Sequence, residues 1–168
     1  MISIENQCKK LYISAFSDDE EFTSLLFKNA FDSCCHYILD NETVVSMLFA
    51  FDVYINGVKG KYIYGVATDE RFRNKGFMRR LFTKTEESLK GEYLFLCLRP
   101  MNDGLFDFYK KLGFEDILFK SDVCVEGCKN ARREICIKDA VSVNKVRKCF
   151  ENKNTCAKIK LLTRCSNK

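Results

Sequence analysis

The sequence predicts an α/β domain with a mixed central sheet of about six to seven strands, and three observations predict it. Two amphipathic helical stretches open the chain, three β-rich segments follow, and the order then changes to strand–helix–strand–helix. The length, 168 residues, is that of one domain, and 46% apolar residues suffice for a core of its own. With one proline, Pro100, and no repeat or low-complexity stretch, nothing suggests a linker, so residues 1–168 are read as a single domain.

The elements follow from local pattern. Cys8, Leu11, Tyr12, Ala15 and Phe16 form one helical stripe. Ser17-Asp18-Asp19-Glu20 reads as a capping box for a second helix, whose apolar face is Phe22, Leu25, Leu26 and Ala30. Cys35–Leu39, Thr43–Ile55 and Val58–Thr68 are β-branched and aromatic. Asn56-Gly57 suits a type I′ hairpin, and Asp40-Asn41 makes a weaker turn. Phe77, Met78, Leu81, Phe82 and Leu89 mark a helix beginning near Gly76; Tyr93–Leu98 reads as a strand buried on both faces. Leu105–Leu112 is a short helix stopped by Gly113. Phe114–Val125 and Arg133–Ile137 read as two further strands, followed by a helix around Ala140–Phe150 and a loose tail.

Composition excludes several classes. No apolar run is long enough for a membrane span, and the first residues lack a basic stretch followed by an apolar block, so the expected location is cytoplasmic. Ten cysteines in a chain with a full-sized core read as reduced, buried hydrophobes. Cys34-Cys35-His36 is contiguous, Cys124 and Cys128 have no second pair, and no metal is expected. Residues 138–168 hold nine basic residues against two acidic ones. That excess reads as a solvated helix face and terminus, and neither a membrane nor a nucleic acid is the expected partner.

Chemistry concentrates in Gly65–Arg80. A strand ends at Thr68, a basic loop follows, and a helix starts near Gly76, whose free first-turn amides and dipole make an anion site. Gly76 lets backbone approach a phosphate closely, and Arg73, Lys75, Arg79 and Arg80 add charge. Neither a three-glycine dinucleotide fingerprint nor a Gly-Lys-Ser/Thr phosphate loop is present.

Arg73-x-x-Gly76-x-Met78 resembles the signature of the GNAT superfamily of N-acetyltransferases, and Asn102 to Phe114, with Tyr109 seven residues after Asn102, resembles its second signature. Together the two motifs place a cofactor-binding core at 58–119, with a basic C-terminal helix and tail at 140–168. The resemblance implies a GNAT fold with helices on both sheet faces and a splayed parallel strand pair. It also implies transfer of an acetyl group from acetyl-CoA to a primary amine by direct attack in a ternary complex. Val66, Ala67 and Thr68 would hold the pantetheine arm, and Arg73, Asn74, Lys75, Gly76, Phe77 and Met78 the pyrophosphate. A backbone amide near Val66 would polarise the carbonyl. Tyr109 would protonate the departing thiolate, and Asn102 would contact the donor. The acceptor would be a small molecule or a peptide amine.

Met78 replaces the family's usual small residue, and no carboxylate stands at Tyr62, Ile63 or Tyr64, where many members carry a glutamate base. Asp52, Glu42, a terminal carboxylate or water are the alternatives. The C-terminal side is shorter than in similar bacterial members, which implies an acceptor wall reduced or completed by a second copy in a homodimer. A different class also fits the missing carboxylate and the basic tail: a catalytically weak or inactive GNAT-fold module binding CoA, a nucleic acid or a partner.

Overall fold

The computed structural model describes residues 2–55, 58–120 and 159–165. They fall into two compact units, one comprising the chain up to Asp52 with Lys61–Glu92, the other Val53–Gly60 with the chain from Tyr93 onward.

In the first unit, α1 (Ile4–Ala15) starts on Ser3, whose hydroxyl accepts the Asn6 amide, and buries Cys8, Leu11 and Tyr12. Helix α2 (Glu20–Cys34) is capped by Asp19, whose carboxylate accepts the Phe22 amide at 2.7 Å. The predicted cap at Ser17 therefore lies two residues too early. Asp caps as well as Ser, and a start at Glu20 leaves Asp18 to bond the Tyr12 hydroxyl instead.

Strand β1 (Cys35–Asp40) pairs antiparallel with β2 (Thr43–Ile55), with a register shift between Ile38 and Leu39. Their turn puts both Asn41 and Glu42 at positive φ, 46° and 66°, the backbone of a type I′ turn. Gln7 of α1 fastens this turn: its amide nitrogen donates to the Glu42 carbonyl, and its oxygen accepts the Val44 amide at 2.9 Å. Strand β3 (Val58–Thr68) lies beside β2. The Asn56-Gly57 turn falls outside the described residues.

Met47 and Phe49 of β2 and Ala67 of β3 are buried with Cys8, Leu11, Tyr12, Phe27 and Ala30, and Phe51 and Tyr64 pack against them. Tyr12, Phe27 and Phe49 meet edge to face at centroid distances of 5.4–6.4 Å. Burial of such a side chain contributes about 1.5–3 kcal/mol. Tyr64 and Ala67 share this sheet face although three residues apart, whereas strand alternation would keep even spacings together. Gly65 between them, at φ 59°, absorbs the extra residue. Helix α3 (Phe77–Ser88) covers the other face, burying Leu81, Phe82 and Thr85. Helices thus lie on both faces of this mixed α/β arrangement.

In the second unit, β4 (Phe95–Leu98) is buried along its whole length. Leu94 donates its amide to the Lys59 carbonyl at 3.1 Å, and the Phe95 ring lies against Gly60. A 3₁₀ turn, Asp103–Leu105, leads into α4 (Phe106–Lys111). Gly113, at φ 88°, ends the helix as predicted. Strands β5 (Glu115–Lys120) and β4 each pair in parallel with β6 (Ile159–Cys165). The tail read as loose therefore contains a strand. Lys160 and Arg164 masked the β-favouring run of Ile159, Leu161, Leu162 and Thr163. The remainder of 114–125, the strand at Arg133–Ile137 and the helix at Ala140–Phe150 lie outside the described residues.

Candidate active site

The first unit gathers two of the predicted groups, Val66–Thr68 and Arg73–Met78. Strand β3 ends where the Asp69 amide donates to the Val45 carbonyl at 3.0 Å. The Asp69 carboxylate then accepts the Arg71 backbone amide at 3.0 Å and grips its guanidinium through both oxygens. The Arg71 side chain, chiefly, holds the Asp69 carboxyl below its ordinary range. One 3₁₀ turn, Glu70–Phe72, reverses the chain. Arg73 closes it, donating from Nε to the Thr68 carbonyl at 3.4 Å and pairing with Glu70 at 3.2 Å.

Asn74 and Gly76 follow at positive φ, 61° and 79°, with Lys75 between them on the ordinary side. Such alternation turns successive amides toward a common side, a backbone arrangement that binds anions. Gly76 is the N-cap of α3; it supplies no side-chain cap, and a Cβ there would meet nothing within 4 Å. The first-turn amides, beginning at Phe77 and Met78, have no helical partner. Phe72 and Phe77 brace the turn edge to face at 5.7 Å, with Lys75 over Phe72 and Arg80 over Phe77. Whereas Arg71 and Arg73 are paired to carboxylates, Lys75, Arg79 and Arg80 form no ion pair among the described residues.

Ser46, fully buried on β2, is a residue that sequence reasoning missed. Its hydroxyl lies 3.0 Å from the Thr68 hydroxyl, 3.2 Å from the Ala67 carbonyl and 3.9 Å from the Met78 sulfur. It therefore ties the end of β3 to the start of α3. Nothing near Ser46 in sequence signals this, since its partners lie 21 to 32 residues on. Met78, the departure from a small residue, fills space between α3 and the sheet as a half-buried side chain.

Asn102 and Tyr109 belong to the second unit. Asn102 caps the 3₁₀ turn through its backbone, its carbonyl accepting the Leu105 amide at 3.2 Å, with no side-chain cap bond. Asp103 is the first residue of that turn. The Tyr109 ring is buried, edge to face with Phe108 and Phe114, and its carbonyl accepts the Leu112 and Phe114 amides. Cys97 is buried on β4, and burial pushes its thiol up to about 12, as suits a structural cysteine.

Of the carboxylates considered as bases, Asp52 is committed to an ion pair with Lys61 at 2.6 Å. Glu42 occupies the β1–β2 turn. A further carboxylate was not legible in the sequence: Asp18, just before α2, accepts the Tyr12 hydroxyl. The Tyr12 oxygen lies 3.1 Å from that of Tyr64 on β3. Sequence separations of 6 and 52 residues conceal this cluster. Among the described residues no three His, Cys, Asp or Glu side chains gather as a metal site, and no helix is long and apolar enough to cross a membrane.

The model of the acetyltransferase (GNAT) family matches residues 2–114, more than half of the sequence. The chain belongs to that family. Among curated proteins no sequence matches. Solved structures share the fold. A conserved protein of unknown function from Enterococcus faecalis V583 is 22% identical with a TM-score of 0.56, over 68% of this chain but 30% of its own length. Glucosamine-6-phosphate N-acetyltransferase from Arabidopsis thaliana is 16% identical with a TM-score of 0.50, over 64% and 82%. An aminoglycoside acetyltransferase from an uncultured soil metagenomic sample, in complex with sisomicin, is 19% identical with a TM-score of 0.50, over 62% and 76%.

Proposed function

We propose that this chain is an acetyl-CoA-dependent N-acetyltransferase that moves an acetyl group to a primary amine by direct attack in a ternary complex. The observation that carries this is the turn from β3 into α3. There a glycine N-cap with open space beside it, two positive-φ residues and uncapped helical amides coincide with three cations outside any described ion pair. Those groups fit a pyrophosphate: amides donate to its oxygens, the helix dipole favours its charge, and Lys75, Arg79 and Arg80 screen it.

Within this proposal the backbone of Val66–Thr68 aligns the pantetheine arm, and Ser46 and Met78 fix the spacing between that strand and the helix. Asn102 adds a contact to the donor. Tyr109 supplies the proton that the leaving sulfur takes as the C–S bond breaks, and an amide near Val66 stabilises charge on the carbonyl oxygen. Two amine acetyltransferases among the fold neighbours, acting on an amino sugar and on an aminoglycoside, support an amine acceptor. The enzyme would work in the cytoplasm.

Incubation with acetyl-CoA and a panel of primary amines, read by mass spectrometry, tests the proposal without the background that ten cysteines give a thiol assay. An acetylated amine is expected, with Tyr109→Phe lowering kcat by about tenfold or more at unchanged donor affinity. Donor binding without transfer to any amine would favour a CoA-binding module instead.

A further inference from the structure

Tyr12, Asp18 and Tyr64 form a polar cluster in the first unit, with Asp18 exposed among Ser17, Asp19 and Glu20 and Tyr64 half-buried. Tyr12 is fully buried and its ring covers Gly65; a Cβ at Gly65 would approach it to 2.9 Å. Its hydroxyl donates to Oδ2 of Asp18, and the Tyr64 hydroxyl lies 3.1 Å from the Tyr12 oxygen and 3.5 Å from that same Oδ2. Burial, reinforced by the bonds to Asp18 and Tyr64, pushes the Tyr12 hydroxyl far above its ordinary range, so it remains a donor.

The protons of this cluster can be counted. Tyr12 has one, and it goes to Asp18. Tyr64 has one, and the shorter of its two contacts directs it to Tyr12. What remains toward a ligand is lone pairs alone: Oδ1 of Asp18, which has no partner among the described residues, and the oxygen of Tyr64. A site of acceptors around a carboxylate suits a group that only donates, and a primary ammonium is such a group, with three N–H bonds and a charge. The ring of Phe16 lies 4.8 Å from that of Tyr12, and those of Phe51 and Tyr62 lie 6.3 and 6.4 Å from that of Tyr64, so the cluster is set among aromatic rings. Position agrees with this chemistry, because Tyr64 shares a face of β3 with Ala67, one of the three residues assigned to the donor.

We propose that Asp18, positioned by Tyr12 and Tyr64, binds the ammonium group of the acceptor amine. This deepens the acetyltransferase proposal and rests on it for the meaning of the amine, but binding itself is measurable without turnover. Asp18 is not needed to cap α2, a task that Asp19 performs, and beyond accepting the Tyr12 hydroxyl at Oδ2 it keeps Oδ1 for a ligand.

The test is a ligand-observed NMR titration of benzylamine and of its neutral counterpart benzyl alcohol into wild type, Asp18→Asn and Tyr64→Phe. Asn keeps an oxygen for the Tyr12 hydroxyl while removing the charge. Wild type is expected to prefer benzylamine by about tenfold or more, Asp18→Asn to bind the two alike, and Tyr64→Phe to weaken the amine alone. A thermal melt checks each variant; should Asp18→Asn melt early, Tyr64→Phe at its half-exposed position decides. Equal binding of both probes by wild type, no binding of benzylamine, or a preference unchanged in the folded variants would overturn the proposal. Acetyl-CoA titrated into the same samples separates the two proposals, since loss of donor binding in wild type would sink the acetyltransferase while leaving an amine site intact.

Discussion

At Gly65 two constraints coincide. Its φ of 59° is open to glycine at little cost, and a Cβ would press on Tyr12 at 2.9 Å and Phe49 at 3.3 Å. Backbone strain and overpacking together predict that Gly65→Ala loses about 2–4 kcal/mol, measurable by urea unfolding, with a loss under 1 kcal/mol contradicting the bulge. Gly76, by contrast, has the same handedness and no neighbour, so its glycine is explained by backbone conformation and access rather than by packing. The sequence alone singled out Gly76, because a signature surrounds it, and passed over Gly65, because a lone glycine in a strand carries no spacing rule. Asp18 was hidden for a related reason. Among Ser17, Asp18, Asp19 and Glu20, local rules rank the capping candidates but cannot see a tyrosine hydroxyl 46 residues later in the chain.

Elements were more legible than residues. The bounds of β2 and β3 follow directly from their β-branched and aromatic runs, and α3 begins next to the glycine that signals it. Where local rules misjudged, a tertiary partner decided. The Asp40-Asn41 turn looked weak because Glu42, not glycine, fills its second positive-φ position. Gln7 makes good the difference by bonding the turn at both the Glu42 carbonyl and the Val44 amide. Glu42→Gly should therefore stabilise the chain by about 0.5–1 kcal/mol, as relief of left-handed strain outweighs the added freedom of the unfolded chain. Thermal melting would read this as a rise in Tm; a fall would mean that the Glu42 side chain does more than tolerate the turn. Strand β6 illustrates the converse, a strand whose basic residues made it resemble a solvated tail.

For the molecule as a whole, its single histidine provides a pH probe. His36 is held below the ordinary value of 6.5, first by burial and then by Lys61 and Lys84, with Glu92 opposing. The unfolded chain consequently takes up its proton first as pH falls, so stability present above about pH 6.5 declines as pH drops toward the lowered native value. Urea unfolding at pH 7.5, 6.5 and 5.5 should show this decline in wild type and a flatter profile in His36→Gln; identical profiles would assign the decline to other groups. Family membership was readable because two short signatures and an element order coincide along the chain, while the acceptor was not, because its recognition has no local motif.

Calorimetric titration of acetyl-CoA into wild type, Gly76→Asn and Gly76→Asp tests the donor site most directly. Asn tolerates positive φ, so the two variants share the backbone cost and differ in charge. Micromolar binding is expected in wild type, largely retained in Gly76→Asn and weakened about tenfold or more in Gly76→Asp, where a carboxylate meets the pyrophosphate. Absent binding in wild type, or equal affinity in the Asn and Asp variants, would contradict a donor site at the turn from β3 into α3.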